Sequence, residues 1–212
     1  MRIIDISVPL GPNVPIWPGS RGIRLHWSKR LDAWYECNNT YLNCDTHVGT
    51  HVDAPSHFLV NGATIEQLPL EVLIGTAVVA YLPKVGVIAA RDLEDLELAP
   101  DTERLLLRTR NSELWAAEIT EFREDYVALT SDAAQWIVRQ GIRLIGVDYL
   151  SVGTYGDRVA THRILLEAGV IVVEGLNLYD VQAQEYEFIC LPLKLVGAEG
   201  APARAILIRR DL

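Results

Sequence analysis

The chain has 212 residues, 50% of them hydrophobic and 22% charged, with a formal net charge of −9. That balance is ordinary for a globular protein with one sizeable core, so a single domain over residues 1–212 is expected. The acidic excess, with no run of Lys or Arg, excludes a nucleic-acid partner and disfavours an anionic membrane surface.

In chain order, "RIIDISVPL" alternates apolar and polar residues and reads as a strand closed by Pro9. That alternation, with early prolines, is also unlike a signal peptide, and no apolar run approaches the roughly 18 residues of a membrane span. "GPNVPIWPGSRG" is dense in Pro and Gly and reads as loop, and "GIRLHW" as a short strand. "VLIGTAVVAYLP", residues 72 to 83, is apolar, β-branched and bounded by Pro, which predicts a buried strand. "ERLLLRT" and "DYVALT" read as two more buried strands. "SDAAQWIVRQG" predicts an amphipathic helix with Ser131 as N-cap and Gly141 just beyond its end. "IRLIGVD" is then a strand ending in an acid, "ATHRILLEAG" a second helix, and "VIVVEGL" a strand carrying Glu174. "YEFICLPLKLVG" and "ARAILIRR" predict a closing hairpin.

Strands outnumber helices about three to one in this reading, mixed along the chain, which predicts an α/β or α+β domain with a mixed sheet. No Gly-rich fingerprint follows the first strand, so a dinucleotide-binding fold is excluded. Cys37, Cys44 and Cys190 are odd in number and form no CxxC pair, so a reducing cytoplasm is expected. Cys44, beside Asp45, reads as a small buried residue.

Three of the five histidines fall in "CDTHVGTHVDAPSHFL": His47, His51 and His57, with Asp53 among them. Imidazole and carboxylate are ligands that Zn²⁺ and Mn²⁺ accept. A single histidine is more often packed or exposed than a ligand, but three clustered with an aspartate reverse those odds. Gly49, Thr50 and Pro55 argue against a helix here. In an extended chain residues 47, 51, 53 and 57 share parity and point to one side. Gly49 would let the backbone pass close to a metal.

The candidates for further ligands are few. Glu174 sits in a buried apolar run, where a carboxylate needs a cation, a hydrogen-bond donor or a metal; a salt bridge to an arginine such as Arg204 competes with ligation. His162 lies on a predicted helix, and His26, among apolar and basic residues, reads as surface or half-buried. Asp148 could orient a ligand histidine, whereas Asp5 reads as a turn cap.

"HVGTHVDAPSHF" resembles the H-x-G-T-H-x-D-x-P-x-H-F motif of the metal-dependent cyclase and bacterial kynurenine formamidase family. The resemblance extends to "DISVPLGPNVPIWPG", "IGVDYLSV", "THRILLEAGVIVVEGLNL" and "LPLKLVGAEGAPARAIL". It implies a β/β/α swivelling-type α/β fold with a mixed sheet, and a homodimer or higher homo-oligomer. It also implies that His47, His51 and Asp53 ligate one metal, and that Asp53 and Glu174 bridge to a second completed by His162. His57 resembles the catalytic acid/base, and Trp17 the aromatic residue placed against the substrate ring. The cofactor would be Zn²⁺ or Mn²⁺, one or two per subunit.

Where dedicated formamidases carry a Thr-Pro-Ser-like segment, this chain has Tyr149-Leu150-Ser151, and Thr161 and Arg163 flank His162. Three readings of function follow: hydrolysis of an aryl formamide such as N-formylkynurenine, opening of a cyclic amide or lactone in the manner of isatin hydrolases, and a metal-binding module without catalysis. Tyr149 would narrow the pocket, donate a hydrogen bond or simply pack. Trp17, Trp27, Trp34 and Tyr35 are expected near the entrance, where they suit a flat ring, or at a dimer contact.

Overall fold

The computed structural model describes residues 1–210. Among them are ten strands and five α-helices, so the mixed α/β expectation holds. The strands are β1 (Arg2–Asp5), β2 (Ile23–Lys29), β3 (Asn39–Cys44), β4 (His51–Asp53), β5 (Ile74–Tyr81), β6 (Arg104–Arg108), β7 (Leu144–Val147), β8 (Ile171–Glu174), β9 (Glu185–Pro192) and β10 (Gly200–Arg209). The helices are α1 (Leu70–Leu73), α2 (Ala90–Glu94), α3 (Ser112–Ala116), α4 (Ser131–Arg139) and α5 (Arg158–Glu167).

Eight strands form one sheet in the order β1-β10-β4-β8-β7-β6-β5-β9, and β9 also pairs with β10. That last pairing closes a ring, which no local sequence pattern announced. On one edge β10 carries β4 along residues 200–202 and β1 along residues 206–209; its other edge carries β9. From β5 to β8 the pairing is parallel, and elsewhere it is antiparallel.

Alternation along the strands sorts side chains into two cores. Leu106, Leu144, Val173, Val52 and Phe188 pack together inside the barrel. Leu105, Leu107, Ile145 and Val172 face outward onto Ala133, Ile137, Leu165 and Leu166 of α4 and α5. Strands covered on both faces explain the unbroken apolar runs in "ERLLLRT" and "IRLIGVD". β2 and β3 stand apart as a two-stranded ribbon.

Several local readings differ from the structure. β1 ends at Asp5, well before Pro9, because the Asp5 carboxylate accepts the Ser7 amide and turns the chain; the turn-cap reading of Asp5 is therefore right. Val72 and Leu73 belong to α1, and β5 is only half-buried, with Ile74 and Tyr81 exposed. "DYVALT" forms no strand; its backbone bonds piecemeal to the Asn111 side chain, to Ile88 and to Val152. Thr130 is the N-cap of α4, and Ser131 is its first residue, donating to Asp157. Gly141 follows the helix at φ +75° as expected. Cys44 is half-buried, with its thiol pushed up by burial and by Asp45. No helix among the described residues is long and apolar enough to cross a membrane.

Candidate metal centre

β4 lies between β8 and β10, and its register sets the site. His51 stands opposite Glu174 across the antiparallel β4–β8 ladder. His51 and Asp53 are two residues apart and therefore share the outward face of the barrel, while Val52 points into the core. Over that face runs α5, which brings His162 down on the same side as Leu165 and Leu166. The shared parity expected of residues 47, 51, 53 and 57 holds only for 51 and 53. His47 sits in the bend before β4, and His57 in the single 3₁₀ turn Pro55–His57 after it. Their rings nonetheless stack 3.9 Å apart.

Hydrogen bonds to backbone carbonyls fix two of the imidazoles. His51 Nδ1–H donates to Gly49 O at 2.9 Å, and His162 Nδ1–H donates to Arg158 O at 2.7 Å. Their Nε2 atoms therefore face the carboxylates: His51 lies 3.2 Å from Glu174 and 3.6 Å from Asp53, and His162 lies 3.0 Å from Glu174 and 3.5 Å from Asp53. His47 Nδ1–H donates to Asp53 at 2.8 Å. The Val152 amide donates to Glu174 at 2.6 Å.

The residues present fit a metal. His47, His51 and Asp53 form one group whose ligand atoms all lie within 4.8 Å of one another; Asp53, His162 and Glu174 form a second. Asp53 belongs to both. His47 Nε2, His51 Nε2 and Asp53 Oδ2 are buried without a hydrogen-bond partner, which is costly unless a cation engages them. The charges point the same way. Burial alone would lower the His162 pKa, but hydrogen bonds and charge from Asp53 and Glu174 push it up to about 10. Asp53 is held well below the usual carboxylate range: burial opposes this, and His47 and His162 outweigh it. Two buried carboxylates here thus demand positive charge between them, and nitrogen and oxygen donors of this kind suit Zn²⁺ and Mn²⁺.

The competing salt bridge for Glu174 is absent, since Arg204 pairs with Asp5. Asp148 orients no histidine. It is a buried hub accepting five hydrogen bonds, from the amides and hydroxyls of Thr109 and Ser112 and from the Asn111 side chain. Burial still raises its pKa against those donors. We expect Asp148→Ala to destabilise the fold by about 3–5 kcal/mol, because it strands those donors in the core. Urea denaturation checks this, and a loss below about 1 kcal/mol would contradict the hub.

Gly49 serves another purpose than the one expected. Its φ is +58°, and a Cβ there would lie 2.4 Å from the Leu10 side chain. Thr50, next to it, is a rivet that donates to Gly175 O and accepts from Val8 N. Gly200 is the glycine that makes room for a candidate ligand, since a Cβ there would lie 2.6 Å from the His47 ring.

The centre opens into a cavity of about 300 Å³ walled by Trp17, His57, Phe58, Ser151, Arg158 and His162 among others. His57 lines it, and among the described residues its ring accepts or donates no hydrogen bond to protein. Trp17 stands edge-on to Phe122 and Tyr126. Tyr149 is not in the cavity; it is buried, its hydroxyl accepts the Arg123 amide, and it stacks on Tyr126. Trp27, Trp34 and Tyr35 do not line the cavity; they are exposed on or beside the ribbon, Trp34 being 99% exposed. His26 lies on that ribbon as well.

Sequence reasoning missed four neighbours of the site. Phe58 stacks on His162 at 4.5 Å, Ser151 presents a buried unpartnered hydroxyl, Glu199 lies 3.4 Å from His47, and Arg158 stands on the cavity wall. Phe58 had a signal as the last position of the quoted motif and Ser151 as part of Tyr149-Leu150-Ser151; Arg158 had one in lying four residues before His162, on the same face of α5.

The sequence profile of the Cyclase family matches residues 4–154. The chain is 40% identical to cyclase-like protein 2 of Arabidopsis thaliana, over 98% of this chain and 79% of that protein. It is 37% identical to the kynurenine formamidase of Bacillus cereus, over 96% of each. A solved structure of a potential metal-dependent hydrolase with cyclase activity superposes with a TM-score of 0.85 at 30% identity, covering 100% of this chain and 99% of that one.

Proposed function

The chain belongs to the Cyclase family, and from that premise we propose that it is a single-domain, metal-dependent hydrolase of an amide-type C–N bond, an aryl formamide such as N-formylkynurenine being its substrate. The observation that carries this reading is the pair of donor groups sharing Asp53 on the floor of a cavity whose wall includes Trp17 and an unengaged His57. His47, His51 and Asp53 would hold one divalent ion, and Asp53, Glu174 and His162 a second, as Zn²⁺ or Mn²⁺. Bound there, the metal supplies a lowered pKa for water and polarisation of the substrate carbonyl.

The chain's own residues do the rest. Burial, the largest influence on His57, lowers its pKa, so the ring is neutral near pH 7 and can accept a proton. His57 takes a proton as the water oxygen bonds to the formyl carbon, then delivers it to the aryl nitrogen as the C–N bond breaks, leaving formate and an arylamine. Trp17 offers a flat apolar face for the aryl ring. A purely structural metal site is closed by its ligands and has no use for such a proton carrier, which weighs against a non-catalytic module.

The test is release of formate and kynurenine from N-formyl-L-kynurenine by metal-loaded protein, with a chelated control. Chelator-sensitive turnover supports the reading. A metal-loaded protein that leaves this substrate intact and opens isatin-like cyclic amides or lactones would transfer the function to the second reading.

We also read the β2–β3 ribbon as the contact of a homodimer or higher homo-oligomer. Leu25, Trp27, Leu31, Trp34, Tyr41 and Leu42 are all exposed on or beside it, and a lone two-stranded ribbon is marginal in water. Sedimentation should find an oligomer that Trp27→Glu with Trp34→Glu converts to monomer; a monomeric wild type would contradict this. Three unpaired cysteines, one of them exposed, accord with a cytoplasmic setting.

A further inference from the structure

Among the described residues lining the cavity, one side chain has no role in binding a metal or moving a proton, yet is the wall's one lysine or arginine. Arg158 opens α5, four residues and about 6 Å of helix before His162. Its guanidinium carbon lies over the Trp17 ring, 5.3 Å from the ring centre, and both side chains line the cavity. Among the described residues it forms no ion pair. Its one hydrogen bond to protein runs from a terminal nitrogen to Tyr155 O at 3.3 Å.

Other basic side chains among the described residues, Arg21 and Arg139 for example, also form no ion pair; what sets Arg158 apart is its place on the cavity wall. On the same helix Arg163 pairs with Glu167. The neighbouring acid, Asp157, accepts the Ser131 hydroxyl. Position 162, one turn on, is a histidine. Arg158 is thus held by an aromatic face and a carbonyl, with most of its five N–H donors free to address the cavity. Its geometry suits bidentate recognition of a carboxylate.

We infer that Arg158 is a specificity-determining residue that binds a carboxylate on the substrate, on a tail remote from the scissile amide. This rests on the hydrolase reading above and narrows it to aryl amides that carry an acid. The placement is self-consistent: the amide over Glu174, and the ring with its acid-bearing tail along the wall that Trp17 and Arg158 form together. The floor of the cavity is itself acidic, so a substrate anion needs this cation at a distance from Glu174.

The experiment compares N-formyl-L-kynurenine with 2′-formamidoacetophenone, which shares the ring and formamide but lacks the acid, in metal-loaded wild type and in Arg158→Gln. The ratio of kcat/KM between the two substrates should fall by about 10- to 100-fold in the variant, chiefly through KM, as for loss of a hydrogen bond to a charged group. Arg158→Lys should restore part of it. A ratio unchanged within about twofold overturns the inference.

Equilibrium binding of L-kynurenine against 2′-aminoacetophenone, by calorimetry on the same proteins, separates the two ideas. If the wild type hydrolyses neither formamide, the formamidase reading fails, and a binding preference for the acid that vanishes in Arg158→Gln still supports the carboxylate site. Equal loss of both ligands in the variant, or of neither, overturns it.

Discussion

Replacing His57 by Gln should leave metal content unchanged and lower kcat by about 10²–10⁴-fold, the range that general acid–base catalysis contributes. The expectation follows from where the ring sits. His57 stacks on His47 and lines the cavity, but belongs to neither donor group. Gln keeps much of the side chain's bulk against His47 and Phe58, so the two metal positions should survive while the proton carrier is lost. Metal analysis and turnover on one preparation check both halves. Activity within roughly tenfold of wild type would assign the proton to another group, and loss of metal would make His57 a ligand or a support for one.

Asp53→Asn should have the other large effect, because this carboxylate is common to both donor groups. The amide is nearly isosteric but neutral, and it offers one poor donor where two charged oxygens had been shared. We expect metal binding and turnover to fall to background together. A thermal-shift series gives a readout independent of activity. Saturation of a native-state site at about 1,000 times Kd stabilises by about 4.1 kcal/mol, which is roughly 8–16 °C for a chain of this size. Wild type should show a shift of that order on adding Zn²⁺ or Mn²⁺, and Asp53→Asn little or none. Full loading of the variant would mean that the two groups do not meet at Asp53.

Much of this centre was legible in the sequence because its chemistry is locally concentrated. His47, His51 and Asp53 are close in the chain, and few structures other than a metal site gather such residues. Glu174 was legible for a different reason: a carboxylate in a β-branched run has to be neutralised by something. The identity of its partner was not, since Arg204 and His162 are both distant in sequence and only the β4–β8 register and the placement of α5 decide between them. Asp148 was misjudged on the same ground, and of the three readings of Tyr149 only packing holds. Each borders the site in sequence, yet one turns to Thr109 and Ser112 and the other to Arg123, contacts made by segments that nothing local points to. "DYVALT" had the composition of a strand without neighbours to make it one. The mixed sheet was evident from β-branched runs, but its closure through β9–β10 is a long-range pairing that periodicity does not encode.

The position of β10 has a consequence for biosynthesis. As the chain leaves the ribosome, every candidate ligand through Glu174 has been made before residues 200–209 appear, a delay of a few seconds at about 5–20 residues per second. Until that last strand inserts between β4 and β9, the segment bearing His51 and Asp53 has only one of its two ladder neighbours. The nascent protein therefore passes through an interval in which its histidines and carboxylates are present but unplaced, with an open sheet edge beside them. Pairings this distant in sequence are slow to form. Metal capture and completion of the sheet should then coincide, once β10 has emerged and not before.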